Sequence, residues 1–322
     1  MTRAAAALGF ALALGIPAAH AADAIKVASS HLASWSAIVP QIAVKKGYFA
    51  EQNLDVTLLN ASGGSETIQA LSSGSVQIAT PASVHAVIAA YAKGAAVRIV
   101  SNQLTGAPDM LWYVKADGPI KRPEDLDGRK AAYSRPGSVS YMLLENMMKE
   151  RNIKAEVISG GTLPAGRTML MTGQVDASWA GAPFALDGVR AGELRVLFTG
   201  DDVAAARTVV SRVTAVSADY LKEHRDVVRR FQIAYDKALK FTYGPEGGEA
   251  LKLFADLNQM DITTAQEVVK YFGTLEANEL TPIRGFDDAV GQTVEFGLIK
   301  EPLTAAQKKE LIDIVYDPKK AS

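Results

Sequence analysis

Short apolar runs alternate along the chain with longer segments in which apolar residues recur at helical spacing. Short runs between turn-forming residues are typical of β-strands, and the longer periodic segments are typical of amphipathic helices. A regular alternation of the two predicts an α/β fold whose sheets are mostly parallel. The predicted strands lie at 26–29, 55–59, 77–80, 97–101, 110–114, 130–133, 156–158, 176–179, 195–198 and 208–216.

The pattern repeats within the chain. Residues 25–49 (IKVASSHLASWSAIVPQIAVKKGYF) and 129–153 (RKAAYSRPGSVSYMLLENMMKERNI) each give a short strand, a loop with a Ser-x-Ser motif and an apolar-periodic helix. The motif is Ser34 and Ser36 in the first copy, and Ser138 and Ser140 in the second. Two such lobes leave a crevice that a helix N-terminus enters from each side, which favours a ligand clamp. The alternative is coincidence in an alanine-rich sequence.

A second pair of segments supports the repeat. Residues 67–79 (TIQALSSGSVQIA) and 167–179 (RTMLMTGQVDASW) each predict a helix that ends near Gly74 or Gly173, followed by a short strand. The two pairs occur in the same order, at an offset of 104 residues for the first pair and of 99 residues for the glycines of the second. The repeat therefore predicts two similar lobes.

Two apolar strands connect the predicted lobes. Residues 110–114 (MLWYV) pass from the first lobe into the second and residues 208–216 (TVVSRVTAV) return, so the hinge needs no flexible linker. The amphipathic helix at 226–243 and the helices after it are expected to pack on the first lobe. The expected division is 22–108 and 212–322 for lobe one, and 109–211 for lobe two.

Residues 1–21 have the features of a secretory signal peptide. Arg3 is the first charge, residues 4–16 are a short apolar stretch, and Ala19-His20-Ala21 fits the small-residue cleavage pattern. The stretch is shorter than the roughly 20 residues of a membrane-spanning helix. We therefore expect cleavage near Ala21 and a soluble, periplasmic protein.

Composition argues against several classes of function. The chain has no cysteine, which excludes disulfides, thiol catalysis and cysteine-ligated zinc. The formal net charge is −1 without a basic run, so nucleic acid and anionic membranes are not expected partners. The histidines lack metal-ligand spacing, and no nucleophile-elbow, phosphate-loop or dinucleotide-binding motif occurs. We expect a monomer without cofactor or metal.

Polar residues at predicted helix starts are candidates for ligand contacts. The first N–H groups of a helix lack partners within it and carry partial positive charge, so an anion binds there readily. Ser138, Val139 and Ser140 start a helix in the second copy, and Arg135 before them can add a charge-assisted contact. His31 holds the matching position in the first copy. Plain N-capping for the serines and a surface salt bridge for Arg135 are the rival interpretations.

Further candidates follow the carboxyl ends of predicted strands, where open α/β sheets bind ligands. Ser65 opens the helix after two glycines, and residues 80–83, with Thr80 and Ser83 at their ends, lead from a strand into the next helix. Trp179 ends a strand of lobe two and Trp35 lies in the opposing loop, so their rings can enclose a planar or apolar part of a ligand. Core or hinge packing is the alternative for both tryptophans.

Several stretches resemble one family. IAVKKGYFAEQNLDVTLL at 42–59 and QALSSGSVQIA at 69–79 are similar to paired motifs of the nitrate/sulfonate/taurine/pyrimidine group of ABC-transporter solute-binding proteins. Further matches are RPEDLDGRKAAYSRPGS, TGQVDASWAGAPF and ADYLKEHRDVVRRFQIAYDKAL, which begin at Arg122, Thr172 and Ala218. The resemblance covers essentially the whole chain after the signal peptide.

The resemblance implies a type II periplasmic binding fold, with two α/β lobes that close on a small solute. Gln77 departs from the family motif, which usually has Asp there, whereas Asp176 keeps it in lobe two. A related enzyme branch makes a thiamine pyrimidine and is marked by a cysteine-rich motif that this chain lacks. The family's ligand contacts, carried over by position, fall on Ser30, His31, Trp35, Ser65, Thr80, Ser83, Arg135, Ser138, Val139, Ser140 and Trp179.

The expected function is that of the substrate-binding component of an ABC importer. Its solute would be a small organic anion, a sulfonate or a carboxylate, aromatic ones included, which it delivers to a permease in the inner membrane. A different possibility is an exported hydrolase with Ser138 or Ser140 as nucleophile and His31 as base. The chain could also be a binding protein for a neutral heterocycle such as a pyrimidine, or one that reports to a receptor.

Overall fold

The computed structural model describes residues 21–271 and 273–321. The predicted signal peptide lies outside these residues except for Ala21. The strands are β1 (Asp23–Ser30), β2 (Leu54–Ala61), β3 (Ile78–Ser83), β4 (Val97–Thr105), β5 (Met110–Lys115), β6 (Lys130–Tyr133), β7 (Glu156–Ser159), β8 (Ser178–Gly181), β9 (Leu194–Thr199) and β10 (Val210–Ser217). Each overlaps a strand predicted from the apolar runs, so those predictions are confirmed.

Helices fill the connections between the strands and form the C-terminal third of the chain. They are α1 (Ile38–Lys45), α2 (Tyr48–Glu51), α3 (Gly64–Ser72), α4 (Val84–Ala92), α5 (Val139–Glu150), α6 (Leu163–Met171), α7 (Leu186–Arg190), α8 (Ala218–Glu223), α9 (Arg225–Tyr243), α10 (Gly247–Leu257), α11 (Ile262–Val268), α12 (Leu275–Asn278), α13 (Phe286–Glu295) and α14 (Ala305–Leu311). The α9 helix is the predicted amphipathic one, and its buried face includes Val227, Phe231, Ala234 and Ala238.

The first lobe is built on a five-stranded sheet in the order β2-β1-β3-β10-β4. Strand β1 lies parallel to both β2 and β3, whereas β10 lies antiparallel to β3 and β4. All six residues of β3 are buried. A strand covered on both faces carries small and apolar residues throughout, as the IATPAS sequence of β3 does.

The second lobe repeats this arrangement. Strand β6 pairs with β7 in parallel, and β5 lies antiparallel between β8 and β9. A parallel bridge between Ala131 and Ala177 joins β6 to the residue before β8. The strands of this lobe form a three-stranded sheet, β8-β5-β9, and a two-stranded sheet, β6-β7; joined through the bridge, their order β7-β6-β8-β5-β9 corresponds to that of the first lobe. The α/β two-lobe prediction is confirmed, and in each lobe the antiparallel strand, β10 or β5, is the one that crosses over from the other lobe.

The two lobes meet where the chain crosses between them. One crossing runs from β4 to β5 through residues 106–109, and the other runs from β9 to β10 through residues 200–209. The crossings touch each other, since a Cβ atom added to Gly200 would lie 2.0 Å from the carbonyl oxygen of Ala107. A side chain at Gly200 would therefore force the two connections apart. No helix within residues 21–271 or 273–321 is both long and apolar enough to cross a membrane.

Candidate ligand-binding site

A cavity lies between the two sheets, at the crossing segments. The space open to the centres of water-sized molecules is about 30 Å³, so the cavity can hold a few water molecules or a compact chemical group. Both Ser34 and Ser138 line it, so the serine motifs of the two sequence repeats face one shared gap. The remaining lining residues are Ser30, His31, Ser36, Gly63, Gly64, Pro81, Ala82, Ser83, Asp109, Met110, Ser134, Val139, Ser140, Trp179, Gly181 and Arg212.

The cavity brings together most of the residues expected as ligand contacts. These are Ser30, His31, Ser83, Ser138, Val139, Ser140 and Trp179. Four others lie outside its lining: Trp35, Ser65, Thr80 and Arg135. The Thr80 hydroxyl is buried and shares a hydrogen bond of 3.0 Å with the Thr214 hydroxyl. The ligand-binding role of every one of these residues stays a prediction.

Three helices start at the cavity wall. Gly63 and Gly64 lead into α3, Ser83 is the N-cap of α4, and Ser138 is the N-cap of α5. The Ser138 hydroxyl accepts a hydrogen bond of 3.1 Å from the backbone N–H of Tyr141, which is the capping bond of α5. Because each of these helices has nine or more residues, their dipoles place partial positive charge around the same space.

Serine hydroxyls from the second lobe form a connected network. The Ser140 Oγ accepts a bond of 3.0 Å from the N–H of Ser134 and lies 2.9 Å from both the Ser134 and Ser138 hydroxyls. The Ser159 hydroxyl donates to the carbonyl of Ser134 at 2.8 Å. The network holds the hydroxyl oxygens in place, and it gives the cavity wall several groups that can donate or accept hydrogen bonds.

His31 faces the cavity from the first lobe. Its backbone is left-handed, with φ of 51°, and its carbonyl accepts a bond of 2.7 Å from the Ser34 hydroxyl. Burial of the imidazole and the nearby positive charge of Arg212 lower the pKa of His31 from 6.5 to about 4. The side chain is therefore neutral at physiological pH and adds no charge to the cavity.

A buried ion pair lies at the hinge side of the cavity. The two terminal nitrogens of Arg212 in β10 bond the two carboxylate oxygens of Asp109 at 2.9 and 3.1 Å. The side chains are 7% and 4% exposed, respectively. The pair joins the first crossing segment to β10, and it brings a charge-balanced group to the cavity wall. Sequence reasoning missed this pair, although an arginine inside the otherwise uncharged run 208–216 is a signal for it.

The two predicted aromatic contacts have different surroundings. Trp179 lines the cavity and is packed so closely that a Cβ atom on Gly160 or Gly166 would lie 2.7 or 2.6 Å from its ring. Trp35 belongs to a cluster within the first lobe, where its ring meets Tyr243 and Phe254 edge-on at centroid distances of 6.2 and 5.1 Å. Only Trp179 is therefore placed to touch a solute in the cavity.

Direct contacts hold the lobes against each other around the cavity. The hydroxyls of Ser83 and Ser65 donate to the carbonyls of Gly137 and Pro136, at 2.7 and 3.2 Å. Arg135 forms an ion pair of 2.5 Å with Glu66 of α3. Ser65 and Arg135 thus bridge the lobes rather than line the cavity, and the molecule is in a closed arrangement.

Acidic and histidine side chains do not gather into a metal site in the described part of the chain. Residues 21–271 and 273–321 contain no group of three or more His, Cys, Asp or Glu side chains that could hold a metal ion. Asp109, the acidic residue of the cavity, has its two oxygens bonded to Arg212. The cavity is therefore suited to recognition by hydroxyls, helix N-termini and one balanced ion pair.

Comparisons with known proteins agree with this architecture. A family model described as NMT1/THI5 like matches residues 38–246. Among curated proteins, a 4-amino-5-hydroxymethyl-2-methylpyrimidine phosphate synthase of Saccharomyces cerevisiae is 30% identical over 115 residues. These residues are 36% of this chain and 33% of the yeast protein, so the chain spans a third of that relative's length.

Solved structures show the same fold at low sequence identity. The periplasmic aliphatic sulphonate binding protein SsuA of Escherichia coli gives a TM-score of 0.69 at 18% identity, covering 88% of this chain and 91% of that protein. The periplasmic nitrate-binding protein NrtA of Synechocystis PCC 6803 gives 0.70 at 13% identity, covering 90% and 85%. The periplasmic binding protein fold predicted from the resemblance is confirmed.

Proposed function

Because the chain belongs to the NMT1/THI5-like family, we propose that it is the substrate-binding component of an ABC importer. In this proposal the exported protein acts as a monomer in the periplasm. It captures a small organic anion, a sulfonate or a carboxylate, between its lobes and delivers it to a membrane permease. The observation that carries the proposal is the cavity that serines and helix N-termini of both lobes line together.

The electrostatics of the cavity support an anionic head group. Arg212 is balanced by Asp109, and His31 is neutral near pH 7 because its pKa is about 4. The starts of α3, α4 and α5 therefore supply the unbalanced positive potential. An oxyanion can accept hydrogen bonds from their N–H groups and from the serine hydroxyls.

The contacts between lobes support a closing motion. The Ser83–Gly137 and Ser65–Pro136 hydrogen bonds join opposite lobes, so they are lost when the lobes separate. The cavity is small and bounded by both lobes, so separation of the lobes would widen the path by which a solute enters it. A solute that bonds both walls then stabilises the closed state, which is the differential affinity that drives such a transition.

The alternative of an exported hydrolase has less support. The Ser140 hydroxyl bonds the Ser134 and Ser138 hydroxyls, so its neighbours are other serines rather than an imidazole. A histidine with a pKa of about 4 is a weak general base near neutral pH. We propose binding without turnover.

A neutral pyrimidine is the second candidate solute. The yeast relative that shares 30% identity over 115 residues is named for the synthesis of a pyrimidine phosphate. The serine hydroxyls can both donate and accept hydrogen bonds, so they can pair with ring nitrogens and an exocyclic amine. A pyrimidine would also contact Trp179 at the cavity wall.

A thermal-shift screen of the protein without its signal peptide tests the proposal. The set comprises sulfonates, aromatic carboxylates, nitrate and pyrimidines, with esters and amides offered separately as hydrolase substrates. A true solute at 100 times its dissociation constant adds about 2.7 kcal/mol to the free energy of unfolding. Stabilisation by a sulfonate or carboxylate without ester or amide turnover is the expected result. Stabilisation by pyrimidines alone would favour the second candidate, and turnover would overturn the binding-only proposal.

A pair of serine variants links such binding to the cavity. Ser83→Ala removes the hydroxyl that bonds Gly137 across the lobes, so we expect about fivefold weaker solute binding for a hydrogen bond of about 1 kcal/mol. Ser73→Ala is the matched control, because Ser73 is exposed on the first lobe and its hydroxyl bonds the nearby Ala70 carbonyl. Equal affinities in the two variants would place the binding site elsewhere.

A further inference from the structure

A second, smaller cavity of about 20 Å³ lies between the lobes, beside the second crossing segment. One wall of this interface cavity is α5 of the second lobe, which contributes Met142, Leu143 and Asn146. The other wall comes from the first lobe, with His85 of α4 and Gln292 of α13. Among the described residues that line the interface cavity, His85 is the one titratable side chain, and it is only 3% exposed.

The two ring nitrogens of His85 have different surroundings. Nε2 lies 3.2 Å from the side-chain oxygen of Gln292, whose amide nitrogen donates to the carbonyl of Ala205 in the second crossing segment at 3.2 Å. Because a side-chain carbonyl oxygen only accepts hydrogen bonds, Nε2 carries the proton and Nδ1 keeps its lone pair. Nδ1 is buried and has no hydrogen-bond partner among the described residues. A further proton would therefore add at a nitrogen that no neighbouring acceptor stabilises.

No charge in the interface cavity compensates for a protonated His85. Its described lining contains no acidic or basic side chain from α5, α13 or the second crossing segment. Charged groups of these elements have other partners, since Lys149 pairs with Glu295 at 2.5 Å. Glu150 accepts hydrogen bonds from N–H groups of the crossing segment, and Arg207 donates to a carbonyl within it. Burial therefore lowers the pKa of His85 from 6.5 to about 4, although its side-chain hydrogen bond acts in the opposite direction.

Contacts between the lobes seal the interface cavity. The Tyr141 ring of α5 meets the ring of Phe296, at the end of α13, edge-on at a centroid distance of 6.4 Å. The Lys149–Glu295 ion pair joins the same two helices. Separation of α5 from α4 and α13 would admit water to His85, and a hydrated imidazole has a pKa of about 6.5. The separated lobes would therefore bind a proton more tightly than the closed lobes do.

We propose that His85 locks the closed arrangement when it is neutral and releases the lobes when it takes up a proton. The inference rests on the closing motion of the proposed function, and its test needs no solute. With a pKa of about 4 in the closed arrangement and about 6.5 in the open one, a fall from pH 7 to pH 5 should raise the ratio of open to closed molecules about 20-fold. A solute held between the lobes would be released more readily in acid.

A cross-link between the lobes tests the lock. A Cβ atom added to Gly181 of the second lobe would lie 3.7 Å from the Cβ of Ser34 in the first, which is within the Cβ–Cβ range of disulfides. Because the chain has no cysteine, Ser34→Cys combined with Gly181→Cys gives a single disulfide that holds the lobes together, and a reductant releases them. The measurement is an NMR titration of the His85 imidazole in both forms, with His85→Gln in the same background to identify its signal.

The proton affinity of His85 should be at least tenfold lower in the cross-linked form than in the reduced form. His224 of the first lobe is the internal control, because it is exposed even in the closed arrangement. An equal or higher proton affinity in the cross-linked form would mean that separation of the lobes does not hydrate His85. That result would overturn the lock and leave solute capture standing, since the solute screen tests capture separately.

Small-angle X-ray scattering tests the lock without the cross-link. The radius of gyration of the parent protein should increase more between pH 7 and pH 5 than that of His85→Gln, because glutamine takes up no proton in this range. His224→Gln is the matched control and should expand as the parent protein does, since it removes an exposed histidine of the first lobe. Equal behaviour of the parent protein and His85→Gln would overturn the proposal.

Discussion

The buried ion pair of Arg212 and Asp109 should contribute strongly to the stability of the protein. Replacing Arg212 with Met leaves the Asp109 carboxylate buried without its counter-charge, and such a loss typically costs about 3–5 kcal/mol. The cavity beside the pair has room for water, which can partly solvate the carboxylate that has lost its partner. We therefore expect a loss of about 3 kcal/mol in the free energy of unfolding, at the lower end of that range.

The assay is urea denaturation of the protein at pH 7 without solute. The control is Arg225→Met, which breaks a pair of the same two-nitrogen, two-oxygen geometry, because Arg225 bonds Asp313 at 2.8 and 2.7 Å. That pair is 55% and 33% exposed, so its loss should cost about 1 kcal/mol or less.

A double variant separates the charge effect from the loss of packing. Arg212→Met combined with Asp109→Leu removes both charges, so stability should return to within about 1 kcal/mol of the parent protein or exceed it. An Arg212→Met variant that is no less stable than the Arg225→Met control would refute the claim that burial makes the loss of Arg212 costly. That result would mean that the pair behaves as if it were in water.

Three further predictions concern packing, capping and pH. Gly166→Ala should cost about 1–3 kcal/mol, because the new Cβ would lie 2.6 Å from the Trp179 ring. Ser138→Ala should cost about 1 kcal/mol by removing the cap of α5 and should also weaken solute binding. Stability should fall as the pH drops from 6.5 towards 4, since burial lowers the pKa of both His31 and His85 to about 4 and only the unfolded chain binds protons readily in that window.

Each of these predictions has an internal control. Gly291→Ala lies within α13 with open space around its Cβ, so it should be neutral or stabilising, and an equal loss in both glycine variants would contradict the clash. Thr304→Ala removes the cap of α14 far from the cavity, so it should leave solute affinity unchanged. His85→Gln should make the free energy of unfolding fall less steeply as the pH drops from 6.5 towards 4, which denaturation at several pH values measures. A dependence on pH equal to that of the parent protein would exclude His85 as a cause of the acid destabilisation.

The strands and the repeat could be predicted from sequence because their signals are local. The apolar runs are short and bounded by turn residues, and the second pair of repeats ends its helices at Gly74 and Gly173, which both adopt positive φ. The serine cap of α5 is likewise a local signal. The direction of β5 and β10 within their sheets could not be predicted in this way, because it follows from the crossover connections between the lobes.

The parts of the site that were missed depend on contacts between distant residues. Asp109 and Arg212 lie 103 positions apart, and no periodicity links them. Arg135 was expected to face a ligand, but whether it reaches the cavity or Glu66 depends on how the closed lobes meet. The tryptophans show the same limit, because a pattern of apolar residues cannot distinguish a ring at a cavity wall from one in the core.

The crossing segments also show how the second lobe is inserted into the chain of the first. Thr105 at the end of β4 is the register partner of Val210 at the start of β10, and the N–H of Gly106 bonds the carbonyl of Val209 at 3.0 Å. The whole second sheet with its helices is therefore an insertion into one antiparallel hairpin of the first. A tight turn in place of the second lobe would reconnect β4 with β10, so the first lobe can be tested for folding on its own. The same junction is a natural point at which to exchange the second lobe between relatives.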